Sequence, residues 1–184
     1  VDLERGLNVA ASSSFPNLVT EGARLDFSIS GLPPGTATGG IVTDATTTAT
    51  AINFENIQIN TSMEAAQRIN VDTNATDGYQ VLKYTTQQLI NSYGDEISPV
   101  TSTNAAPGGW ATVCAGVADS CFGYHTTDAV LFGGSARFAP IDSYSAVSVT
   151  PAEIMYNSFP VDDVEDVVYR IQVSEQQPAG DYFT

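Results

Sequence analysis

The chain has 184 residues, 42% of them hydrophobic, which suits one well-cored domain rather than a disordered segment. It carries 21 Asp and Glu against 6 Lys and Arg, a formal net charge of -15. Such a surface repels phosphate backbones and excludes nucleic acid as a partner, while it suits a soluble extracellular protein and attracts divalent cations. No run is long and apolar enough to cross a bilayer, so no membrane span is expected. Val1 in place of a start methionine, with no signal peptide, reads as a mature secreted chain.

The first residues, "VDLERGLNVA", place Val1, Leu3, Leu7, Val9 and Ala11 at alternate positions, interrupted only by Arg5. Period-two alternation marks a strand with one buried face. Polar "ASSSFPN" follows as a tether. In "ARLDFSIS", Ala23, Leu25, Phe27 and Ile29 alternate with polar residues, a half-buried strand that "GLPPG" turns. The Thr-rich stretch to Ile59 is β-prone. "NTSMEAAQR" predicts one helical turn capped by Thr61 or Ser62, and "TTQQLINSYG" a second. Asp77-Gly78, between "RINVDTN" and "YQVLKYTTQQL", predicts a hairpin. Residues 94–140 read as long loops, "AVSVT" and "EIMYNSF" as short strands, and "VVYRIQVSE" as a strand burying Val167, Tyr169, Ile171 and Val173. The expected fold is therefore all-β, an antiparallel jelly-roll-like sandwich with long decorated loops and little helix. Residues 1–12 form an N-terminal arm and 13–184 a single domain.

Cys114 and Cys121, in "CAGVADSC", have the wrong spacing for zinc and fit a disulfide-closed loop in an oxidising compartment. His125 is the only histidine, so histidine chemistry would have to run through "FGYHTTD" beside Ser120 and Asp128; a hydrogen-bonded loop histidine is the simpler expectation. The acids of "VDDVED" (Asp162, Asp163, Glu165, Asp166) suggest glycosidase work or Ca²⁺ binding, yet they lack both a facing cleft and a calcium-loop spacing. They read as a solvated loop. No cofactor, catalytic residue or metal ligand is expected, and the protein reads as a non-enzyme. Trp110, Phe122, Tyr124 and Phe132 are either a sugar-stacking platform for surface glycans or, preferably, pins for the long loops. Asn60-Thr61-Ser62 and Asn74-Ala75-Thr76 match the N-glycosylation acceptor pattern.

At the other end, Pro178–Asp181 turns the chain and Tyr182 starts a returning strand that stops at Thr184. A sandwich lacking a strand exposes unpaired backbone groups beside open core. The alternating N-terminus supplies such a strand, in its own domain or in a neighbour's; the second arrangement is head-to-tail and builds a filament.

The segment "NTSMEAAQRINVDTNATDGYQV" (60–81), "FGYHTTD" (122–128), Arg137-Phe138 and "YRIQVSEQQPAGDYFT" (169–184) together resemble a family of secreted β-sandwich surface proteins of environmental bacteria. That resemblance implies a sandwich that continues past this last segment with one more strand, and it implies no activity. In size, composition and alternating N-terminus the chain is also similar to fibre subunits of the TasA and camelysin type and to archaeal bundling pilins, which implies polymerisation by strand donation. The expected function is an extracellular pilus or fibre subunit that pairs with itself. Val1, Leu3, Leu7, Val9 and Ala11 serve as the donor strand, and the acceptor groove lies along Val167, Tyr169, Ile171, Val173 and Tyr182. The alternative is a surface adhesin or carbohydrate-binding module.

Overall fold

A computed structural model describes residues 22–118 and 120–184. The elements in chain order are β1 (Leu25–Gly31), β2 (Ala37–Thr38), β3 (Ile41–Val42), β4 (Met63–Thr73), β5 (Tyr79–Lys83), β6 (Leu89–Ile90), β7 (Glu96–Pro99), β8 (Gly108–Gly109), α1 (Trp110–Ala115), β9 (Cys121–Thr126), β10 (Ser143–Ala146), β11 (Ala152–Asn157) and β12 (Val161–Gln172). The fold is all-β and almost wholly antiparallel, with α1 as its one α-helix among the described residues.

The main sheet runs β1-β4-β12-β9-β10-β8, with β7 added in parallel at β9 and β6 paired to β7. Register fixes its two faces. Phe27 pairs with Val71 and Ile29 with Ile69 across β1 and β4; Ile69 pairs with Glu165 and Val71 with Asp163 across β4 and β12. Because strand side chains alternate, Leu25, Phe27, Ile29, Ile69, Val71, Val167, Tyr169 and Ile171 all project to one inner face. The second layer on that face is the small β5–β11 sheet. Ile154 and Met155 of β11 join Ile69, Val71, Phe122, Val167 and Ile171 in the core.

Side-chain contacts locate this second layer. Tyr79 Oη donates to Asp163 at 2.7 Å, and Lys83 Nζ lies 5.2 Å from the Tyr169 ring centre, so β5 tracks along β12. Thr126 Oγ1 donates to the Ile154 carbonyl, which sets β11 over β9. The outer face of the main sheet is covered separately. There Leu32, Ala66 and Val168 pack with Ile41, and Trp110 of α1 packs edge-on against Tyr144 at 5.0 Å.

Several local expectations change. "MEAAQR" lies inside the eleven-residue β4, not in a helical turn, because pairing with β12 along its whole length, joined by β1 at Gln67 and Arg68, outweighs helix propensity. "LINSYG" gives the two-residue β6 and a turn rather than a helix. Asp77-Gly78 does reverse the chain, with Gly78 at φ +68, but β4 and β5 do not pair. The turn is an arch that carries the chain from the main sheet to the second layer. "VDDVED" is the first half of β12 and not a loop.

Candidate functional site

His125 lies on β9, not in a loop, and is buried with its Nδ1 2.9 Å from the Ser143 carbonyl. Burial holds its pKa below the ordinary histidine value, which favours the neutral ring. Ser120 bonds Ser174, and Asp128 accepts from the backbone N–H groups of Val130 and Tyr156. These three residues are occupied with separate partners and form no triad.

The acids of "VDDVED" are divided by the strand period. Asp166, on the outer face, is gripped by the Arg68 guanidinium (2.8 and 3.0 Å) and by Thr38 Oγ1 (2.7 Å). Asp163, on the inner face, accepts from Tyr79 and Asn157. Glu165 bonds Thr127, and burial pushes its carboxyl above the usual range. No group of three or more His, Cys, Asp or Glu positioned to hold a metal occurs among the described residues.

Trp110, Phe122 and Tyr124 are buried, and only Phe132 of the aromatic set is exposed. Trp110 stacks under the Arg170 guanidinium at 4.8 Å. Cys114 and Cys121 form a disulfide that ties the end of α1 to the start of β9. In the loop-entropy account, closing an eight-residue loop stabilises by about 2.5 kcal/mol. The two glycosylation sequons differ. Asn60 is exposed, whereas the Asn74 amide accepts from the Arg24 N–H at 2.7 Å and donates to the Gly22 carbonyl at 2.8 Å.

The donor positions Val1, Leu3, Leu7, Val9 and Ala11 lie outside the described residues. The expected acceptor residues are not one groove. Val167, Tyr169 and Ile171 sit in β12, whose backbone is paired to β4 on one side and β9 on the other, so no further strand can hydrogen-bond beside them. Their side chains instead floor two depressions. Ile171, Val173 and Tyr182 line an open cavity of about 710 Å³ with Ile52, Phe54 and Ile97 and with the polar Glu55, Gln177 and Asp181. Val167 and Tyr169 line a smaller groove of about 200 Å³ with Phe27, Ile29, Val81 and Tyr84. The returning strand at the C-terminus is a single bridge, in which Phe183 and Ile90 exchange backbone hydrogen bonds at 3.1 Å.

The smaller groove holds the feature that alternation alone does not reveal. On the inner face of β1, Leu25 is 65% exposed, Phe27 51% and Ile29 37%. These side chains point toward the core side of the sandwich, yet among the described residues the second layer ends at β5, where Val81 and, just past the strand, Tyr84 wall the groove without closing over it. β1 pairs only with β4 and β5 only with β11, so among the described residues each presents one unpaired edge to this opening. Lys83, the only lysine, lies at the wall of the groove, its Nζ 4.7 Å from the Tyr124 ring centre. Burial lowers its pKa to about 8.

Comparison with protein-family models, with curated proteins and with solved structures finds no match to this chain.

Proposed function

We propose that this protein is an extracellular structural subunit that polymerises into a pilus or fibre, each copy donating its alternating N-terminal strand to the next. The observation that carries this reading is the partly exposed apolar strip on β1, with a strand edge on either side of the opening that is unpaired among the described residues. An edge left bare is a template for pairing, so a chain that also contains an alternating N-terminal segment has a use for it. Donation is head-to-tail and propagates without closing. An inserted strand gains about 25 cal/mol for each Å² of apolar surface it buries, and about 1 kcal/mol for each backbone hydrogen bond it completes. The disulfide supports an oxidising compartment, and no helix among the described residues is long and apolar enough to cross a membrane. A glycan platform draws no such support, since Trp110, Phe122 and Tyr124 face inward.

Negative-stain microscopy of the purified chain tests the reading directly. Filaments are expected from residues 1–184 and none from a chain lacking residues 1–11. Isolated particles from the full chain, or wild-type-like filaments from the shortened one, overturn it.

A further inference from the structure

Resting on that reading, we infer that the donated strand occupies a second-layer slot between β1 and the free edge of β5, with Leu7, Val9 and Ala11 of one copy over Leu25, Phe27 and Ile29 of the next. The uncovered surface is the inner face of β1, not merely its edge. A strand added beside β1 would extend the main sheet and leave that face bare, whereas a strand added beside β5 lies directly over it. Stacked layers sit about 10 Å apart, so the side chains of such a strand meet the strip. Tyr79–Lys83 makes no backbone bond on the slot side among the described residues, so its donors and acceptors are available to a partner.

The dimensions and chemistry of the slot fit this arm. Its floor along β4 runs from Gln67 to Thr73, seven residues, or about 23 Å of strand. The eleven residues of the arm cover that length. Leu7, Val9 and Ala11 are its one uninterrupted apolar series, three positions to match the three of the strip, and Arg5 then falls past Leu25 if the strand runs parallel to β1, or over Gly31 at the slot's end if it runs antiparallel. Residues 12–21 supply a tether of at most about 36 Å between the arm and the described domain. With these matches the middle plug, Val9, faces the middle strip residue, Phe27, whichever way the strand runs.

Both native cysteines are disulfide-bonded, so introduced thiols are the only free ones. Chains carrying Val9→Cys alone are mixed with chains carrying Phe27→Cys alone, treated with a short bismaleimide, and mapped by peptide mass spectrometry. A 9–27 link in the mixture is expected, and a ladder of covalent oligomers from the doubly substituted chain. A link formed only within single doubly substituted chains overturns the second copy as occupant. Filaments without any 9–27 link overturn the slot and leave the fibre reading standing. Neither link nor filaments overturns both. As a second variant, Phe27→Asp alters a half-exposed side chain, so it keeps the wild-type thermal midpoint within a few degrees and loses filaments; wild-type filaments from it overturn the slot.

Discussion

Glu64 shows how one side chain sets a measurable property of this fold. It lies on the outer face of β4 with Arg170 Nε 2.8 Å from its Oε1. Burial and a hydrogen bond to the Asp44 carboxyl push its pKa up to about 7, outweighing the guanidinium, which pulls it down. Asp128 and Glu165 are raised by burial as well. A carboxyl whose folded pKa exceeds its unfolded value favours the folded state below the unfolded pKa, near 4.5 for Glu64, and that contribution disappears as pH rises through about 7. Glu64 therefore contributes more stability at pH 5.5 than at pH 8, while the buried neutral His125 acts in the opposite sense as pH falls. Glu64→Gln imitates the protonated form and removes about 1 kcal/mol of that difference, after allowing for solvent screening at a half-buried site. Chemical denaturation of both proteins at both pH values checks this, and an unchanged difference in the variant refutes the assignment.

At the scale of elements, the arch at Gly78 decides which layer each strand joins. Gly78 has φ +68, and a Cβ there would collide with the Asn157 carbonyl at the end of β11. Alanine faces both a disfavoured backbone region and a backbone atom that cannot move aside. Gly78→Ala costs about 2–3 kcal/mol, read from the urea midpoint. A loss below about 0.5 kcal/mol, the range of a neutral surface change, excludes this role. The same turn marks how far the sequence could be read. "DG" between two alternating runs announces a reversal, because Gly78 tolerates positive φ, but nothing local states that the second run pairs with β11 instead of β4. "ARLDFSIS" and "VVYRIQV" are legible as strands because their apolar period is two. "MEAAQR" is not, since its residues suit a helix and only pairing with β12, and with β1 at its end, makes it a strand. The opening over β1 is illegible for a related reason: alternation shows which side chains turn inward, and only the packed second layer shows that, among the described residues, Leu25, Phe27 and Ile29 are left partly exposed there.

Across the whole molecule, the formal charge of -15 opposes any assembly of identical copies. The contact proposed for the slot is apolar, and the series Leu7, Val9 and Ala11 contains no ionisable group, so seating the strand itself responds weakly to salt. The bodies behind it repel each other. At about 0.01 M ionic strength the Debye length is about 30 Å, comparable to the subunit, and neighbouring acidic surfaces repel over their full width; at about 0.15 M it is about 8 Å and only charges at the junction count. Filament growth followed by light scattering is therefore faster at the higher ionic strength. Growth that slows with salt means that oppositely charged surfaces hold the subunits together, which this acidic chain with one lysine does not suggest. Replacing NaCl by CaCl₂ at equal ionic strength separates screening from binding. Screening alone gives closely similar rates, whereas a marked excess with Ca²⁺ means a cation bridging acids of adjacent copies, a site that exists only in the polymer.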